Sequence, residues 1–122
     1  MTEPENKPRK MLNKTLYVIF SEVVEGSGDR DQVKAEHYAY QFSLEDRGVL
    51  FAAGPLLGEN GKPTGTGMIV VRAASMEEAK AIADGDPFHK NGFRKYRIQP
   101  WRISEGTFSL RVKYSEGTFE LD

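Results

Sequence analysis

Two histidines, His37 and His89, are the side chains of this sequence that ordinarily titrate near neutral pH, and cysteine is absent. Thiol nucleophiles, disulfides and cysteine–zinc sites are therefore excluded. What remains for moving a proton is an imidazole oriented by a carboxylate. His37 falls on an apolar stripe with Val33, Tyr40 and Leu44, at helical steps of four, three and four. A leucine would be ordinary there. An imidazole at such a place is either a hydrogen-bonded core histidine or a ring facing a pocket. Asp86, ahead of Pro87 and Phe88, is the expected partner, and Asp84 is its rival. An aspartate before proline also caps backbone N–H groups at a helix start, so the capping and orienting readings both stand. His89 is expected to be exposed on the turn after Pro87. The two histidines have no metal-ligand spacing, so neither a metal nor a cofactor is expected.

Other residues bear on a pocket. Gly54-Pro55 reads as a strand terminator or as a pocket wall where backbone N–H groups approach a substrate oxygen. The Gly58–Gly67 stretch lacks a Gly-Lys-Ser/Thr ending and leads into a strand, so it is not a phosphate loop. Tyr96 and Trp101 fit either a cavity wall for an aromatic ligand or ordinary packing.

The elements that would position these residues fit one α+β domain. The chain has 122 residues, 39% of them hydrophobic, which is one core's worth of apolar material. Seventeen basic residues against 18 acidic ones leave a net charge of -1, which gives no reason to expect nucleic acid or an anionic membrane as partner. The polar first 14 residues are followed by only a short apolar run, Leu16–Phe20, so a mobile tail and a cytoplasmic location are expected.

Thr15–Val23 is rich in β-branched and aromatic residues and predicts a buried first strand. A helix over 30–46 follows, closed by Gly48. Residues 49–53 predict a second strand stopped by Gly54-Pro55, with a long loop over 56–66 able to line a site. Residues 67–74 predict the third strand. Ser75 and Glu78 have capping-box spacing, which starts a second helix running to about Ala83. A short turn over 86–92 leads to a fourth strand over 93–103, with Pro100 implying an edge.

This β-α-β-β-α-β order is the ferredoxin-like arrangement, with four antiparallel strands and both helices on one face. The uncovered face predicts a homodimer or higher homo-oligomer. Ser-Glu-Gly-Thr-Phe occurs at 104–108 and again at 115–119, and Phe108, Leu110, Val112 and Tyr114 alternate with polar residues between. An added β-hairpin over 104–122, packed on a partner subunit, is expected. The domain boundaries expected are 1–14, 15–103 and 104–122.

Several segments together resemble the YciI-like, or YCII-related, family. They are Leu16-Tyr-Val-Ile-Phe20, His37, Arg47-Gly-Val-Leu-Phe-Ala-Ala-Gly-Pro55, Ser75-Met-Glu-Glu-Ala79, Ala83-Asp-Gly-Asp-Pro-Phe88 with Gly92, and Gln99-Pro-Trp101. The resemblance spans residues 15–103 and implies a dimeric α+β barrel with a His/Asp-centred site, whose histidine maps to His37 and whose aspartate maps to Asp86. One branch of that family eliminates chloride from a chlorinated hydroxyquinol. Together these readings lead to the expectation of a cofactor-free lyase or isomerase acting on a small oxygenated cyclic or aromatic molecule. His37 would shuttle the proton, Asp86 would orient it, and Gly54, Pro55 and Phe88 would contact the substrate. The alternative is a dimeric ligand-binding or structural module without turnover.

Overall fold

The computed structural model describes residues 9–121. Thr15–Arg102 form one compact unit, and the described residues before Thr15 and after Arg102 form another. In the larger unit the elements are β1 (Lys14–Val23), a 3-10 turn (Arg30–Gln32), α1 (Lys34–Asp46), β2 (Leu50–Leu57), β3 (Pro63–Val71), α2 (Met76–Asp84), α3 (Pro87–Lys90) and β4 (Arg94–Ile103). The sheet order is β2-β3-β1-β4, with β3 antiparallel to both β1 and β2. This is the ferredoxin-like fold expected from the element order.

Alternation along β1 sorts its side chains between two faces. Ile19 joins Ile69, Val71 and Ala83 in the buried core, with Tyr17, Leu50, Ile82, Tyr96 and Ile98 packed around it. Leu44 of α1 is 1% exposed, so the stripe carrying Val33, His37 and Tyr40 turns toward the sheet. Register places Val18 opposite Val70 and Phe20 opposite Met68 on the face away from this core.

Helix α1 ends as its sequence suggests. Gly48 has φ +72, a conformation that suits glycine. Its N–H donates to Glu45 O, and Val49 N–H donates to Leu44 O, which together make a Schellman closure. Helix α2 begins at Ser75, whose hydroxyl accepts from Glu78 N–H, while the Glu78 carboxylate accepts from Ala74 N–H.

Four expectations need correction. The first helix is not continuous from Arg30: the Asp29 side chain caps a separate 3-10 turn, and α1 starts at Lys34. β2 does not stop at Gly54-Pro55 but runs to Leu57, with Gly54 opposite Met68 and Pro55 opposite Gly67. β2 is an edge strand, so the missing proline N–H takes no ladder bond from a neighbour. The long loop over 56–66 is consequently a tight hairpin turn, closed by Gly58 N–H donating to Lys62 O. The third strand is displaced with it and spans Pro63–Val71.

In the smaller unit, β5 (Leu110–Lys113) pairs antiparallel with β6 (Thr118–Leu121). Gly117, at φ +63, closes the turn by donating to Lys113 O. Leu110 faces Leu121 and Val112 faces Phe119 across the pair, all exposed on one side. Lys113 and Arg111 meet Glu120 on the other side. Leu12 N–H donates to Ser104 O within the same unit. The expected mobile tail lies, for residues 1–8, outside the described residues.

Candidate active site

The site is assembled where α1 crosses the end of α2 and the start of α3. Asp86 is the N-cap of α3, with Pro87 in the first turn. It is 1% exposed. One carboxylate oxygen, Oδ1, accepts from Phe88 N–H at 2.9 Å and from His37 Nδ1 at 2.8 Å. The other, Oδ2, accepts from Gln41 Nε2 at 3.1 Å. Capping and orienting are thus both performed by the same side chain. His37 and Gln41 stand four residues apart on α1, so one helix face delivers both donors.

Burial pushes the Asp86 carboxyl up. The hydrogen bond and charge of His37, the Phe88 N–H and the His89 charge outweigh it, and the net position is below the ordinary carboxylate value.

The carboxylate can only accept, so His37 donates from Nδ1, and in the neutral ring Nε2 carries the lone pair. Nε2 makes no hydrogen bond among the described residues and is not among the buried unpaired atoms. The His37 side chain is 15% exposed, and its ring stacks on Phe88 with centroids 4.2 Å apart and planes at 22°. The imidazole is therefore clamped on one face, tied at Nδ1 and open at Nε2. That is the arrangement a general base needs.

Around this pair, Tyr40 Oη donates to Ile82 O at 2.6 Å and pins α1 to α2. Burial, then the Asp86 charge, raises the Tyr40 phenol above its ordinary value, so it stays protonated. A crevice of ≈ 10 Å³ lies between the helices and the sheet, lined in part by Gln41, Asp86 and His89. Gln41 Oε1 is buried with no protein partner.

His89 corrects an expectation. It is not exposed on its turn but half-buried, with Nδ1 donating to Ala83 O at 2.7 Å. That bond leaves Nε2 of the neutral ring as acceptor for the Ser21 hydroxyl, also at 2.7 Å. Helix α3 turns the residue back onto β1, which places its ring beside Tyr96 rather than in water. Ser21 gave the readable signal. It sits in phase with the inward Tyr17 and Ile19, where a polar group requires a buried partner.

The other candidates are distributed as follows. Asp84 accepts a short hydrogen bond from Tyr96 and takes no part in the His37 network. Phe88, 7% exposed, is the platform under His37. Gly54 and Pro55 lie on the exposed edge strand, and neither lines the crevice beside Asp86. Sequence reasoning missed Gln41 and Arg94. Arg94 Nη1 donates to Ser21 O and Gly65 O, and its guanidinium lies 5.6 Å from the Phe88 ring centre. Among the described residues no three His, Asp or Glu side chains cluster as metal ligands would, and no helix is long and apolar enough to cross a membrane.

No curated protein sequence matches this one. Among solved structures the chain is similar to the 5-chloro-2-hydroxyhydroquinone dehydrochlorinase from Burkholderia phenoliruptrix AC1100, in complex with 2,5-dihydroxybenzoquinone. The two share 25% identity with a TM-score of 0.58, over 70% of this chain and 92% of that one. The family model that matches is the YCII-related domain, over residues 15–102. That span runs from the second residue of β1 to the last but one of β4 and contains every residue of the His37 network, and the chain belongs to the YCII-related domain family.

Proposed function

We propose that this protein is a cytoplasmic lyase or isomerase that works by acid–base chemistry on a small oxygenated cyclic or aromatic molecule. One observation carries the reading: His37 is tied at Nδ1 to a buried carboxylate while Nε2 is open. In the reaction, Nε2 takes a proton from a substrate carbon or hydroxyl. The released electron pair forms a new double bond, and either a leaving group departs with its electrons or the proton returns at another atom. Asp86 stabilises the imidazolium that forms. The similar dehydrochlorinase lends support, since loss of hydrogen chloride needs a base for the proton and an exit for chloride. Phe88 would place the ring of the substrate against the imidazole, and Gly54 and Pro55 would shape the approach in a homodimer.

A second reading, a dimeric ligand-binding module without turnover, has its own support. Asp86 caps α3 and holds Gln41, so the network has structural work regardless of chemistry. The test is a thermal-shift screen of hydroxylated quinones, hydroquinones and their chlorinated forms, followed by assay of each hit for chloride release or isomerisation. Turnover that vanishes in His37→Gln supports the enzyme. Binding without turnover of any hit supports the module.

A further inference from the structure

Arg94 is a half-buried cation whose described partners are all backbone carbonyls. Nη1 donates to Ser21 O at 2.9 Å and to Gly65 O at 3.3 Å, which fixes the guanidinium between β1 and β3. Among the described residues no carboxylate forms an ion pair with it. Its Nε and Nη2 donors have no described protein partner and are not sealed from solvent. The guanidinium lies 5.6 Å from the centre of the Phe88 ring, on which His37 also stacks, so cation and imidazole both contact one aromatic side chain. A partly desolvated cation with no carboxylate in direct contact is costly, and an arriving anion would offset that cost beyond what the more distant Asp86 charge supplies. Burial, then the positive charge of Arg30, works against protonation of Arg94, while Asp86 and Tyr38 favour it.

We propose that Arg94 is the anion-binding residue of the His37 site, receiving a carboxylate or phenolate oxygen of the substrate on its free donors. This rests on the His37 reading only for where the substrate sits. The substrate class narrows from oxygenated rings in general to rings carrying an ionised oxygen. Arginine suits the task because its planar fork offers two parallel donors to such a group.

Calorimetric titration with 2,5-dihydroxybenzoate and its uncharged counterpart 2,5-dihydroxybenzamide tests the proposal. Wild type should bind the benzoate at least about tenfold more tightly than the amide, a preference that shrinks as salt is raised. Arg94→Gln should abolish that preference, and Arg94→Lys should keep part of it. Should Arg94→Gln fail to fold, Arg94→Lys and the salt dependence carry the same test. Equal affinity for the two probes, no binding of the benzoate, or a preference untouched in Arg94→Gln overturns it. His37→Gln separates the two claims: anion preference retained with turnover intact sinks the His37 reading and leaves Arg94 standing.

Discussion

Gly85 and Tyr40 approach each other so closely that a methyl group at position 85 would lie 2.9 Å from Tyr40 Cζ and collide with its hydroxyl. That hydroxyl donates to Ile82 O, so the tyrosine cannot swing away without breaking the bond between α1 and α2. Gly85 is also the residue immediately before Asp86. The close approach of glycine to tyrosine therefore sets the helix spacing at which His37 reaches its carboxylate.

Gly85→Ala should consequently destabilise the fold by about 1–3 kcal/mol, the usual cost of forcing volume into a packed site. Each kcal/mol should lower Tm by roughly 4–8 °C for a domain of this size. A differential scanning calorimetry trace unchanged from wild type would mean that the two helices can separate freely.

Asp86 links the site to acid stability. Its carboxyl is held below the ordinary value of 3.8 in the folded protein, so the native state binds this proton less readily than the unfolded chain. The stabilisation is present above 3.8 and is lost as pH falls through the lower folded value. Asp86→Asn should flatten that part of the acid-unfolding curve. Asp86→Ala should cost about 2–3 kcal/mol at neutral pH, because the α3 cap and two further hydrogen bonds disappear together. Urea melts at a series of pH values measure both effects, and parallel curves for wild type and Asp86→Asn would count against the coupling.

The two histidines should be distinguishable by the state of their ring nitrogens. Both are expected as the Nδ1–H tautomer when neutral, His37 because Asp86 accepts there and His89 because Ala83 O does. They differ at Nε2, which is free in His37 and accepts from Ser21 in His89. Ser21→Ala should leave a buried imidazole nitrogen unpaired and cost about 1–3 kcal/mol. It should alter the ¹⁵N shifts of His89 and spare those of His37. Finding His37 as the Nε2–H tautomer would remove the base from the open side.

Tyr96 offers a control remote from His37. Burial first, and then its hydrogen bond and repulsion with Asp84, pushes its phenol up to about 12. Because the raised value belongs to the folded state, the associated stability is intact below 10.0 and declines as pH rises toward 12. Ultraviolet titration of Asp84→Asn should show Tyr96 ionising at lower pH than in wild type, though still above 10.0 because burial persists. Identical titration curves would contradict the contact.

Much of the fold was legible because it follows from local chemistry. The β-branched run of β1, the Ser75–Glu78 cap and the Gly48 closure each depend on residues within a few positions of one another. The stripe of Val33, His37, Tyr40 and Leu44 likewise located the inward face of α1. Pro55 misled because a proline ends a central strand but not an edge strand, and edge placement is decided by the sheet order rather than by the segment itself. His89 was misjudged for a related reason. Its partner Ser21 is 68 residues away, and only the return of α3 onto β1 brings them together. Arg94 was invisible as a candidate because nothing in its neighbourhood of sequence shows that it shares Phe88 with His37.

In the proposed reaction His37 Nε2 moves the proton while Asp86 holds the ring. Steady-state kinetics of wild type, His37→Gln and Asp86→Asn on a compound that the wild type turns over address it most directly. The expected result is a fall in kcat of about 100-fold or more in His37→Gln, with a smaller fall in Asp86→Asn and little change in KM for either. A kcat preserved in His37→Gln would contradict it.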